Sequence, residues 1–337
     1  MRSNNRLPQG RIVRRALLQL TLAGVLAGAG SGIARAQADH YPNRTVTLIS
    51  DAAAGSAPDV SVRLVAEGLG KVWGRKVIVL NKPGANGAIA ARAASEATPD
   101  GYTLFMPSLS TFVALPGIAP NLPVKLPQDF LPIGFTADQP MFITASPTIK
   151  ANTLADFIAD AKKEPGKYSV AVAGVGRLTH LTSELLQARA GIKLVSIPYT
   201  TGIANAISDA AAGRVSIIVE NVSGVIGALK GGQLKPLAVA SLQRLPEFPK
   251  VPTVAETIPG FTASGFQVVV APKGTPKALI DKISADLRTV VTDADFKKKM
   301  AALGSYPRPM TPDETEAFVA QQQATWLPIV QKISKKQ

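Results

Sequence analysis

Residues 45–71 read TVTLISDAAAGSAPDVSVRLVAEGLGK. Val46, Leu48 and Ile49 form a short apolar run rich in β-branched side chains, which predicts a buried strand. The periodicity then changes. Val62, Val65 and Leu69 recur at i, i+3 and i+7, with Val60 and Leu64 on a neighbouring row, which predicts a helix face. Between the two elements, Ala53-Ala54-Gly55-Ser56 carries almost no side-chain bulk. Ser56 stands three residues before Asp59, so its hydroxyl can cap the Asp59 N–H, and Pro58 supplies a preset φ in the first turn. Such a helix start presents uncovered N–H groups at the positive end of the dipole and accepts a carboxylate or phosphate without a Lys or Arg. An ordinary strand-to-helix turn uses the same small, capped residues, so the pattern alone leaves both readings open.

The chain has 337 residues, enough for two domains and a large core. Its 46% apolar and 18% charged residues are those of a globular protein. The net charge is +14, but the first 36 residues hold six arginines and no acid, which leaves +8 for the remainder. A basic surface suits nucleic acid, yet aromatics are only 5% and no RNP, zinc-finger or helix-turn-helix signature is present. The reading is a basic soluble protein that draws in small anions. With no cysteine, disulfides, iron–sulfur clusters, thiolate zinc sites and a lipid-modified N-terminal Cys are excluded.

The N-terminus reads as a secretory signal over residues 1–38. Arg11 to Arg15 form the charged region and Ala16 to Leu26 the apolar one. Ala34-Arg35-Ala36 and Ala36-Gln37-Ala38 then offer two overlapping cleavage sites. Arg14-Arg15 resembles a twin-arginine signal. The apolar stretch is interrupted by Gln19, Gly24, Gly28, Gly30 and Gly32, which argues against a membrane span.

Beyond the first helix, strands are expected at Lys76–Leu80 and Tyr102–Met106, with an Ala-rich helix between them that stops before Pro99. Ser108 and Ser110 follow the third strand, at the end where open α/β sheets bind ligands. A Pro-rich connection runs from Pro116 to Pro132, then a strand from Met141 to Ala145. A second strand, glycine loop and helix start is expected at Tyr168 to Leu181, containing Gly174, Gly176, Arg177 and His180. Further strands are expected at Leu194–Pro198, Val215–Val219 and Gln267–Ala271, and helices at Ala204–Ala212, Lys277–Thr292 and Pro312–Ile333.

Several of these segments, in order, resemble the Bug family, the extracytoplasmic substrate-binding proteins of tripartite tricarboxylate transporters. The resemblance rests on Tyr41-Pro42-Asn43-Arg44 with Gly55, Asp59, Arg63, Ala66, Glu67 and Leu69, on Val79 to Gly87, and on Pro99 to Leu104. It continues through Gly174, Gly176, His180 and Leu181, and covers nearly the whole chain beyond the signal. It implies an α/β, two-lobed periplasmic binding protein type II fold with a ligand cleft between the lobes. Lobe one would comprise 39–142 and 265–337, and lobe two 143–264. It also implies a small carboxylate or amino-acid-like ligand, delivery to membrane permease subunits, a monomer, no cofactor and no nucleic acid. Ala54, Gly55, Ser56 and Asp59 from one loop and Gly174, Gly176, Arg177 and His180 from the other would form the site. Ser108, Tyr199, Thr200, Thr201 and Glu220 are the candidates to read the rest of the ligand.

The chain departs from the family pattern at several places. Asp51, Ala52 and Ser56 stand where the family has Pro, Phe and its second Gly, and Arg177 replaces a Ser. Asp51 and Arg177 therefore place new charges on opposite lobes. They are solvated, or they pair on closure, or they hold an ammonium group and a second carboxylate. Other functions remain open at this level: a sensor presenting its ligand to a membrane kinase, the effector half of a transcription regulator, or a secreted hydrolase. The last lacks a G-x-S-x-G elbow, Walker A loop, H-E-x-x-H or Cys motif. It would have to use His180, which reads better as a structural His bonded to its own loop.

Overall fold

The computed structural model describes residues 40–119, 121–174, 176–199 and 202–334. The expected signal segment up to residue 38, with Thr200 and Thr201, lies outside them. Strand β1 (Val46–Ser50) leads into helix α1 (Ala57–Trp73), then β2 (Val77–Asn81), α2 (Ala88–Ser95) and β3 (Thr103–Met106). Strand β1 pairs in parallel with both β2 and β3. As the pattern predicts, Ser56 is the N-cap of α1, its hydroxyl accepting from the Asp59 N–H, and Val62, Val65 and Leu69 are fully buried. Val60 is exposed, so the second row contributes less to the core than expected.

A π-helical turn (Ser110–Ala114) and the short α3 (Leu115–Ile118) precede β4 (Phe130–Ala145), a strand of 16 residues. Only its last third was legible in the sequence. Pro132 and Pro140 remove ladder donors and hide the strand signal, but Pro132 sits beside a register shift, where a missing N–H is tolerated. The second lobe follows as α4 (Leu154–Lys163), β5 (Ser169–Val172), α5 (Leu178–Ala190), β6 (Val195–Pro198), α6 (Ile203–Ala211), β7 (Ile217–Asn221), α7 (Val222–Lys230) and β8 (Lys235–Val239). The chain returns through β9 (Ser264–Pro272) to α8 (Lys277–Thr292), α9 (Ala294–Ala302) and α10 (Pro312–Ser334). Helices α7 and α9 were not anticipated. Both begin at side-chain caps, Asn221 and Asp293.

The two lobes share one strand. From Phe130 to Pro140, β4 pairs with β9 beside β3; from Met141 to Ala145 it pairs with β7 and β8. The changeover at Pro140/Met141 faces Ser264, the first residue of β9. On one face of the sheet the apolar core is continuous across the changeover, from Phe105 and Phe135 to Ile143, Val170 and Val219, with Trp326 of α10 fully buried in it. On the other face it divides into a cluster under α1 and α8 and a second under α6 and α7.

Candidate functional site

Strand direction brings the two glycine loops to the changeover. In lobe one, the parallel strands β1 and β3 end at loop one (residues 51–56) and at Ser108, and Ser108 bridges to Gln267 of β9. In lobe two, β7 ends opposite Met141, and β5, parallel to β7, delivers loop two (residues 173–177) to the same edge. Two residues of β9 then lie against the helix starts, one at each. A Cβ built on Gly265 would lie 3.3 Å from Leu178, the first residue of α5. The Gln267 side chain donates to the Pro58 carbonyl in the first turn of α1 at 3.4 Å. Positions i and i+2 of a strand share a face and lie about 6.6 Å apart along it. The two helix starts therefore converge on one side of one strand.

Loop one is braced from behind. Gly55, at φ +79°, donates its N–H to Asp59 Oδ2 at 2.8 Å. The Asp59 carboxylate is 1% exposed and also accepts from Arg63 Nε at 2.9 Å and Asn81 Nδ2 at 2.7 Å. Burial pushes its pKa up, but the Asn81, Gly55 and Arg63 donors together outweigh that and hold it below the usual carboxylate range. Asn81 also donates to the Ala52 carbonyl at 3.0 Å, fixing the other end of the loop. Asp59 is a brace, its carboxylate turned to its own lobe, and the Gly55 N–H is already committed to it. Ala54 and Gly55 are themselves exposed. The role of Asn81, within the recognised Val79–Gly87 segment, was missed because its partners lie 22 and 29 residues away.

Loop two repeats this plan with other chemistry. Gly176, at φ +78°, donates its N–H to Nδ1 of His180 at 3.1 Å, so Nδ1 is the unprotonated nitrogen. His180 is nearly buried and serves its own loop, while Nε2 lies 3.9 Å from Glu184. Gly174 has φ +137°, and the neighbouring Ala173 N–H is held by Thr179 Oγ1 at 2.8 Å. Arg177 occupies the N-cap position of α5, but its side chain makes no cap; it is exposed.

The remaining candidates separate. Tyr199 donates its hydroxyl to Asp209 at 2.5 Å, and burial with this partner raises its pKa to about 12. That hydroxyl is engaged inside lobe two. Glu220, 8% exposed at the end of β7, accepts from the Asn221 N–H at 2.8 Å. Burial drives its pKa up, against the Asn221 N–H and the Arg177 charge. Ser108 donates both its N–H, at 3.0 Å, and its hydroxyl, at 2.8 Å, to Asp51 Oδ2, and Thr111 donates to the same oxygen. Asp51 is thus anchored within lobe one and makes no ion pair with Arg177. Two cavities, of 410 and 490 Å³, lie elsewhere, one between α1 and α9 and one behind the changeover beside Arg244 and Arg308. Among the described residues no cluster of His, Asp and Glu is arranged for a metal, and no helix is long and apolar enough to cross a membrane.

Two α/β lobes joined through a shared strand, with a glycine loop and helix start from each at the junction, define a periplasmic-type solute-binding protein. The chain belongs to the tripartite tricarboxylate transporter family receptors, whose pattern matches over residues 61–335. It is 33% identical over 319 residues to protein BugT of Bordetella pertussis, covering 94% of this chain and 98% of that one. A TctC solute-binding protein from Polaromonas, solved without ligand, superposes with a TM-score of 0.78 at 28% identity, covering 87% and 99% of the two chains. MatC from Rhodopseudomonas palustris, solved with bound malate, gives 0.67 at 27% identity, covering 86% and 100%. The family is one of receptors and not of enzymes.

Proposed function

We propose that this receptor captures a small organic acid between its lobes and hands it to the membrane permease of a tripartite tricarboxylate-type transporter. The observation that carries the reading is the convergence of both glycine-loop helix starts on Gly265–Gln267. Two positive helix ends and the exposed Arg177 suit carboxylate groups. The exposed Ala54 and the first turn of α1 contact one carboxylate, and the exposed Arg177 at the start of α5 faces another group of the ligand, while Gly55 and Gly176 shape the loops. The malate held by MatC is a ligand of this class. Lobe closure around the acid follows from contacts that need both lobes. The protein acts in the periplasm as a monomer, after cleavage following Ala36 or Ala38; intact-mass analysis of exported protein tests the cleavage.

A thermal-shift screen of carboxylates on the mature protein tests the binding reading, since a ligand of the folded form alone raises the melting temperature. Gly55→Val tests the site. A β-branched residue at φ +79° forces loop one off its Asp59 brace, and affinity falls more than tenfold, over about 1.4 kcal/mol. Equal affinity of variant and wild type by calorimetry would move the site elsewhere.

A further inference from the structure

Lobe one presents two hydrogen-bond acceptors at the changeover that its own residues leave unsatisfied. All three donors reaching Asp51, the Ser108 N–H, the Ser108 hydroxyl and the Thr111 hydroxyl, converge on Oδ2, and among the described residues none is directed at Oδ1. The second acceptor is the amide oxygen of Gln267. This side chain is 4% exposed, and its nitrogen is fixed on the Pro58 carbonyl. That bond sets the amide orientation and leaves Oε1 buried without a partner. A buried acceptor of this kind costs free energy unless a donor arrives.

The two groups are held together by Ser108, whose N–H and hydroxyl bind Asp51 and whose backbone bridges to Gln267. A ligand with carboxylates alone brings only acceptors and negative charge to this place, where Asp51 would repel it. A ligand with an ammonium group brings three donors and a positive charge. Lobe two has the opposite polarity, with the Arg177 guanidinium exposed at the start of α5.

Resting on the carboxylate-receptor reading above, we propose that Asp51 and Gln267 form an ammonium-recognising half-site and that the ligand class is α-amino acids. The ligand's carboxylates lie toward the helix starts and Arg177, and its ammonium lies against Asp51 Oδ1 and Gln267 Oε1. Asp51 is then a specificity-determining residue.

The test is calorimetry on the mature protein with matched pairs of probes: aspartate beside succinate, glutamate beside glutarate, alanine beside propionate. Wild type is expected to bind an aminated member at least tenfold more tightly than its partner. In Asp51→Asn and in Gln267→Leu that ratio is expected to fall at least fivefold, with melting temperatures confirming that both variants fold. A ratio near one in wild type, or tighter binding of the plain acids, overturns the inference while leaving the receptor reading intact. A wild-type preference that survives in both folded variants overturns the assignment to these residues. Absence of binding by every probe overturns the receptor reading and this inference together.

Discussion

In lobe one the glycine ahead of the helix, Gly55 at φ +79°, gives its N–H to Asp59; in lobe two Gly176, at +78°, gives its N–H to His180. Each acceptor lies four residues on, in the first turn of the following helix. The geometry is the same and the chemistry is not. Asp59 is a buried carboxylate shared among a backbone N–H, an amide and a guanidinium. His180 is an imidazole that accepts the loop N–H at Nδ1. Loop one is capped by Ser56, whereas Arg177 fills the same position in loop two and caps nothing. Lobe one therefore has a stiff loop whose Asp59 carboxylate is held from behind by several donors, and lobe two has a loop with a cation on its surface. Shape is set by the spacing of glycine and acceptor, and rigidity by how many donors that acceptor gathers.

The largest test of this contrast is removal of the two acceptors. Asp59→Asn turns an amide toward donors and should cost about 2 kcal/mol in urea unfolding at neutral pH, because hydrogen bonds to a charged group are the strong ones. His180→Phe loses the neutral bond to the Gly176 N–H, which should cost about 1 kcal/mol. Equal costs would break the comparison.

The pH dependence sharpens it. The Asp59 pKa is depressed below its ordinary 3.8, so its contribution is present above that value and is lost as the pH falls through the folded pKa. The lead of wild type over Asp59→Asn should shrink only in that acid range. Glu220 carries the opposite sign. Its pKa is raised above the ordinary 4.5, so its contribution is full below 4.5 and is lost as the pH rises through the folded value. Glu220→Gln should therefore gain on wild type in stability as the pH rises above 4.5, and the difference should level off below it. A variant that loses on wild type over that rise would show that the Glu220 charge supports the fold.

Gly55→Ala and Gly176→Ala should behave alike. A Cβ at either position meets nothing within 4 Å, so only the left-handed backbone is penalised, by about 1 kcal/mol in each case. Unequal losses in thermal unfolding would mean that the loops differ in conformation and not only in chemistry. The smallest effect on stability belongs to Arg177→Gln, under about 0.5 kcal/mol, since the side chain is exposed and caps nothing. Affinity for carboxylates should still fall and lose salt dependence in the same variant.

The sequence by itself determined the parts that depend on near neighbours. The β1–loop–α1 unit, the Ser56 cap, the buried row Val62, Val65 and Leu69, and the loop role of His180 all follow from spacings of eight residues or fewer. Tertiary structure decided what depends on distant residues. Proline masked β4, although this strand carries the chain between lobes by changing partners at Pro140/Met141. Nothing local to residues 51–59 says that Asn81 ties the loop or that Ser108 and Thr111 hold Asp51. Gln267 gave no signal at all, being one polar side chain in an apolar strand. Only the packing of β9 against the start of α1 buries its amide and leaves one oxygen without a donor. Local preferences specify elements and caps, because they act within a few residues. The cleft is built where strands from far apart in the chain end side by side, so its polar groups are read from contacts that the linear pattern does not contain.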